Sequence, residues 1–180
     1  MPRANLELAG YAVIVMGVSG SGKSTLGKAL ADHYSVSFVE GDTLHPPLNV
    51  SKMQSGIPLA DEDRWPWLDA VGSNLAAFRE QGVVASCSAL RRSYRDRLRF
   101  LAGQETVFLY LSGSREVLAG RMARRTGHFM PAALLYSQFE TFEAPEREPD
   151  VIELDIEHDP KTLMTEAISL INKYFHRAAR

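Results

Sequence analysis

The sequence predicts an α/β domain built on a five-stranded parallel sheet flanked by helices. Three observations predict it. Short apolar runs of strand length recur between segments of helical periodicity, the alternation expected when parallel strands are joined by helices. A glycine-rich stretch, residues 17–25, links the first such run to the first helical pattern. The chain has 180 residues, 45% of them apolar and 23% charged, enough for one buried core without disulfide or metal staples.

Taken in order, residues 11–16 (Tyr-Ala-Val-Ile-Val-Met) form a strand apolar enough to be buried on both faces. A helix follows over 24–34. Residues 36–40 read as the second strand, 82–87 as the third, 106–111 as the fourth and 151–156 as the fifth. Between strands two and three lies a long segment interrupted by prolines. Its second half, 61–81, is helical, with Trp67, Val71, Leu75 and Phe78 spaced to share a face. Ser114 caps a helix running through Arg125. Asp159 caps the last helix with Pro160 at its first position, and Leu163, Ala167, Leu170, Ile171 and Tyr174 make one apolar stripe. No repeat, low-complexity tract or linker divides the chain, so residues 1–180 are expected to form a single domain. Two inserted segments, about 42–81 and about 121–135, are expected to move.

Bulk properties exclude several classes. A net charge of −2 gives no general attraction for nucleic acid or anionic membrane. Cys87 is the only cysteine, which forbids an intrachain disulfide and fits a reducing compartment. Residues 1–10 include Glu7 and lack a basic region followed by a long apolar run, unlike a signal peptide. No stretch approaches the ~18 apolar residues of a membrane span. The expectation is a soluble, cytoplasmic protein without nucleic-acid or membrane partners.

Gly17-Val18-Ser19-Gly20-Ser21-Gly22-Lys23-Ser24-Thr25 satisfies G-x-x-x-x-G-K-[ST] at every defined position, between a strand and a helix. Glycines let the backbone approach phosphates, and successive N–H groups and the helix N-terminus point at the anion. Lys23 suits the β- and γ-phosphates, and the Ser24 hydroxyl suits Mg²⁺. The motif implies a P-loop NTPase fold that uses ATP and Mg²⁺. No Asn-Lys-x-Asp guanine-reading motif occurs, and the length leaves little room for motor modules. A small-molecule kinase is the expected class.

Its acceptor side begins at Glu40-Gly41-Asp42, at the carboxyl end of strand two, where ligands of open α/β sheets gather. A carboxylate there can orient an acceptor hydroxyl and take its proton. On residue type alone, a turn-forming Gly-Asp pair is an alternative. Gly41-Asp42-Thr43-Leu44-His45-Pro46-Pro47-Leu48-Asn49-Val50-Ser51-Lys52-Met53 resembles the substrate segment of the gluconokinase family, G-D-x-L-H-P-x-x-N-x-x-K-M. The likeness continues through Ser55 to Leu59, Asp61 to Leu68, Cys87-Ser88-Ala89-Leu90 with Tyr94-Arg95-Asp96, Gly127-His128-Phe129 and Gln138-Phe139-Glu140. Together with the phosphate loop, these blocks resemble the thermoresistant-type gluconokinases, similar in fold to shikimate and adenylylsulfate kinases.

The resemblance implies a sheet ordered 2-3-1-4-5, a mobile lid, a homodimer and phosphorylation of D-gluconate at its C6 hydroxyl. A polyhydroxy acid needs many directional polar groups and at least one cation. The resemblance offers Asp42, His45, Asn49, Lys52, Arg64, Ser88, Arg91, Arg95 and His128 for them. Bland readings stay open for several. His45 could brace the Pro46-Pro47 turn, Lys52 could be a solvated charge, and Arg64 could pair with Asp61, Glu62 or Asp63. Arg91, Arg95 and Arg99 recur every four residues and could form a charged outer face. Arg121 and Arg125 match lid arginines that would bring positive charge to the migrating phosphoryl group. The 143–150 connection is expected near adenine. Kinases of other small acceptors, such as adenylylsulfate or shikimate, and a nucleotide sensor without turnover are the rival functions.

Overall fold

A computed structural model describes residues 8–103, 105–124 and 132–178. The strands are β1 (Tyr11–Met16), β2 (Ser37–Glu40), β3 (Val83–Ser86), β4 (Glu105–Ser112) and β5 (Val151–Asp155). They form one sheet in the order β2-β3-β1-β4-β5, with every pairing parallel. Both the strand count and the order match the sequence expectation. β1 sits at the centre and is solidly apolar because both its faces are covered. Val13 and Val15 pack into the layer that holds α1 (Lys23–Tyr34) and α7 (Pro160–Ala178). Ala12, Ile14 and Met16 pack into the layer of α3 (Asp61–Ala77) and α4 (Arg92–Ala102). The two-residue period of the strand divides one run of side chains between two cores.

The predicted caps are in place. Ser114 Oγ accepts from Val117 N–H at 3.3 Å, starting α5 (Arg115–Ala123). Asp159 Oδ1 accepts from the backbone N–H groups of Lys161 and Thr162, both at 3.1 Å, with Pro160 opening α7. Two helices have no counterpart in the sequence reading: α2 (Pro47–Gln54), in the proline-rich segment, and α6 (Ala132–Thr141). Arg125 and His128 lie outside the described residues. Among the described residues, no helix is long and apolar enough to cross a membrane.

Candidate active site

The phosphate loop leaves β1 and enters α1 through Gly22, whose φ of 97° is a left-handed conformation that glycine adopts without strain. Ser19, Gly20, Gly22, Lys23, Ser24 and Thr25 line a cavity of about 360 Å³, with Glu40, Asp42 and Thr43 on its other side. Lys23 is buried and donates to Val18 O at 3.1 Å, which curls its ammonium over the loop. Ser21 also belongs to the loop, but its buried Oγ turns inward and has no hydrogen-bond partner among the described residues.

Asp42 is held in place by its neighbour. Gly41 N–H donates to Ser86 Oγ at 3.2 Å, and Gly41 O accepts from the Trp67 indole at 2.8 Å. A Cβ on Gly41 would lie 2.1 Å from Ser86 O, so only glycine passes the end of β3 here. The next residues form a 3₁₀ turn, Gly41–Leu44, that presents Asp42 at the mouth of the site. Asp42 lines the phosphate-loop cavity and a second, narrower one of about 50 Å³. Ser19 and Lys23 also line both, so the two cavities meet at these three residues.

The second cavity has the chemistry of a polar acceptor site. Its walls include His45, Met53, Arg64, Trp67, Ser88 and Gln138. His45 stacks on Trp67, ring centroids 4.2 Å apart. Burial pushes the His45 pKa down to about 4, with Asp42 opposing the shift and Arg64 adding to it. The ring is therefore neutral near pH 7. Asn49 Nδ2 donates to Asp63 O at 2.8 Å and lies 3.3 Å from His45 Nδ1. An amide nitrogen only donates, so Nδ1 accepts and the ring proton sits on Nε2. Arg64 joins Lys23 as a cation of the pocket. Its Nη1 donates to Tyr94 OH at 3.2 Å, and its ion pair to Asp61 is loose at 4.0 Å.

Other expected residues lie elsewhere. Asn49 is buried behind His45 and acts on the pocket through it. Lys52 does not line the cavity; it donates to Asp63 at 2.6 Å and ties α2 to α3. Arg91 donates to Asp61 at 3.1 Å, bracing the carboxylate that also accepts from Tyr94 OH. Arg95 corrects the expectation of an anion-binding role most sharply. It is 0% exposed, and all five of its N–H donors are taken by Glu148, Ala89 O, Leu90 O and Glu143 O. A saturated, buried guanidinium has nothing to offer a substrate. The 143–150 connection is fastened to α4 through Arg92, Arg95 and Arg99. Arg121 donates to Ile156 O at 2.6 Å, which joins α5 to the end of β5.

Glu40 and Gln138 had no role in the sequence reading, and Tyr94 entered it only through the family block that ends at Asp96. Glu40 was read only as the end of β2, yet it lines the phosphate-loop cavity, and its carboxylate accepts from Ser86 Oγ. Tyr94 orients Arg64. Gln138 accepts from Ser19 N–H at 2.7 Å across the junction of the cavities. Its place in the Gln-Phe-Glu block was the one available signal.

Comparison with known proteins gives this geometry its relatives. The AAA domain family matches residues 13–145. The thermosensitive gluconokinase of Escherichia coli (strain K12) is 47% identical over 156 residues, covering 84% of this chain and 82% of that protein. The thermoresistant gluconokinase of the same organism is 40% identical over 163 residues, covering 89% and 93%. The likeness thus extends to both thermal types. The crystal structure of a gluconokinase from Sinorhizobium meliloti 1021 superposes with a TM-score of 0.85 at 46% identity, covering 95% of this chain and 98% of that one. With its phosphate loop, sheet order and substrate segment in common with these proteins, the chain belongs to the gluconokinase family of P-loop kinases.

Proposed function

We propose that this chain transfers the γ-phosphoryl group of ATP to the C6 hydroxyl of D-gluconate, giving ADP and 6-phospho-D-gluconate. The observation that carries the reading is the junction of the two cavities at Ser19, Lys23 and Asp42. A phosphate held by the loop and a hydroxyl held by the second cavity meet there. The hydroxyl oxygen bonds to the γ-phosphorus while the bond to the β–γ bridging oxygen breaks, and ADP keeps the electron pair. Asp42 orients the hydroxyl and accepts its proton, late in a loose transition state. Lys23 and the loop N–H groups bear the phosphate charge.

Ser24 and Glu40 are oxygen donors lining the phosphate-loop cavity, the ligand type that Mg²⁺ prefers when it is shared with substrate phosphates. They would hold the ion, which supplies further neutralisation of the β- and γ-phosphates when bound. Arg64 suits the gluconate carboxylate, while the His45 Nε2–H and Ser88 suit its hydroxyls. Arg121, Arg125 and His128 are assigned to the lid, and assembly as a cytoplasmic homodimer belongs to the same proposal, on family resemblance.

A coupled ADP-release assay with gluconate, its epimers, shikimate and adenylylsulfate tests the reading. Turnover that is highest with gluconate is the expected result. Turnover with another acceptor and none with gluconate overturns it.

A further inference from the structure

Arg64 lines the acceptor cavity and shares the first turns of α3 with two carboxylates, Asp61 and Asp63. Among the described residues it hydrogen-bonds to neither. Asp63 is engaged by Lys52 Nζ at 2.6 Å and by Ala60 N–H at 2.9 Å. Asp61 is engaged by Arg91 at 3.1 Å and by the Tyr94 hydroxyl, which donates to its Oδ1. The approach of Arg64 to Asp61 stops at 4.0 Å, beyond hydrogen-bond reach. Arg64 Nη1 donates instead to the Tyr94 oxygen at 3.2 Å. One phenol hydroxyl thus stands between an arginine and a carboxylate, accepting from the first and donating to the second.

Charge and packing show what this arrangement preserves. Arg64 and Arg91 face the single negative charge of Asp61, and Arg91 is the nearer of the two. Lys52 answers Asp63. Three cations and two carboxylates leave one positive charge over, and Arg64 is the cation that lacks a close partner. Tyr94 stays a neutral phenol, because burial and its hydrogen bond to Asp61 raise its pKa. Its ring is 1% exposed, sits edge-on to Trp65 with centroids 5.5 Å apart, and has the Arg64 guanidinium 5.6 Å from its centre. Packed on these sides, the ring cannot swing away from the gap.

We propose that Tyr94 is a positioning residue whose hydroxyl keeps Arg64 and Asp61 from closing into a direct ion pair, so that the Arg64 charge stays open to the carboxylate of the acceptor. The proposal rests on the phosphoryl-transfer reading above. It assigns the preference for an anionic acceptor to the chain Arg64–Tyr94–Asp61, with Arg91 drawing Asp61 the other way. Without the hydroxyl, guanidinium and carboxylate close the gap, and an acceptor must break a charge-assisted pair to bind.

The test is steady-state kinetics, with gluconate and ATP varied in turn, on wild type, Tyr94→Phe, Asp61→Asn and the double variant. Tyr94→Phe keeps the ring and its contacts with Trp65 and Arg64. It should raise the gluconate KM ~10-fold, the weight of one hydrogen bond to a charged group, with smaller effects on kcat and on the ATP KM. Adding Asp61→Asn removes the competing charge, so the double variant should recover most of the gluconate KM. A tyrosine with a purely structural role behaves otherwise, since the second substitution would add to the damage. A folded Tyr94→Phe with a wild-type gluconate KM overturns the proposal, as does a raised KM that Asp61→Asn leaves unrelieved. If melting shows Tyr94→Phe to be unfolded, Asp61→Asn alone decides: a gluconate KM at or below wild type supports a competing carboxylate, and a higher one overturns it. If wild type turns over shikimate or adenylylsulfate in place of gluconate, the substrate assignment falls and the same KM comparison with that anion tests Tyr94. Turnover with none of the three overturns both.

Discussion

Asp42 and His45 stand three residues apart and answer to different physics. Asp42 is fixed by Gly41, which is wedged between Ser86 and Trp67. Asp42→Asn keeps size and removes the basic carboxylate, so kcat should fall ~10²–10⁴-fold with ATP binding retained. A loose transition state favours the lower end of that range. Measuring kcat across a Mg²⁺ series at saturating gluconate separates two roles. Loss indifferent to metal marks the base, whereas recovery at high Mg²⁺ makes Asp42 a metal-holding group. His45 makes a prediction about stability. Its pKa falls from 6.5 to about 4 on folding, so the unfolded chain binds more protons between those values. The neutral ring's contribution is therefore intact above pH 6.5 and is lost as pH falls toward 4. Urea midpoints measured from pH 7 to 4.5 should decline less steeply in His45→Gln than in wild type; parallel declines would remove His45 from the acid response. Both residues were legible in sequence because they belong to a contiguous motif. Arg95 was not, because its partner Glu148 lies 53 positions away. Spacing alone made Arg91, Arg95 and Arg99 equals, while the fold buries one of them completely.

Strands and long helices were readable from period and caps, and the short helices were not. α2 has eight residues and begins at Pro47. Leu48 and Val50 are exposed there, so the helix carries no apolar stripe to reveal it. What it does carry is Asn49 and Lys52, both spent on Asp63. Hence the family block that looked like a row of substrate ligands is partly a brace between two helices. The α5 element carries a comparable surprise in Arg121, whose grip on Ile156 O joins it to the last strand. If Arg125 acts only after closure, Arg125→Ala should lower kcat by ~10-fold or more and leave the ATP dissociation constant within a few-fold of wild type. Arg121→Ala should instead disturb both quantities, since its hydrogen bond is already made in this state. Single-turnover kinetics with parallel ATP titrations checks both variants. Equal effects on kcat and affinity in Arg125→Ala would place it in ground-state binding.

Over the whole molecule, the charge network on α4 is the clearest long-range tie. Glu148 accepts from Arg95 and Arg99 at 2.6 Å, and Arg99 also meets Asp150 at 2.6 Å. Burial alone would raise the Glu148 pKa; the hydrogen bonds from Arg95 and Arg99 outweigh it and hold the carboxyl below its ordinary range. Glu148→Gln leaves a fully buried guanidinium without a counter-charge, a loss of about 3–5 kcal/mol. For a domain of this size that lowers Tm by roughly 10 °C, and calorimetry is the check; a shift within a degree or two would make the pair dispensable. The central place of β1 has a further consequence, in the order of synthesis. β1 is made before both of its neighbours, β3 and β4, which begin at residues 83 and 105. A ribosome-bound chain that stops short of residue 83 therefore presents a solidly apolar strand with both edges unpaired, the kind of surface that associates with other chains or is held by chaperones. The strand that carries the phosphate loop can be locked into the sheet only when β3 and β4 have emerged, so nucleotide binding waits on segments made well after the loop itself.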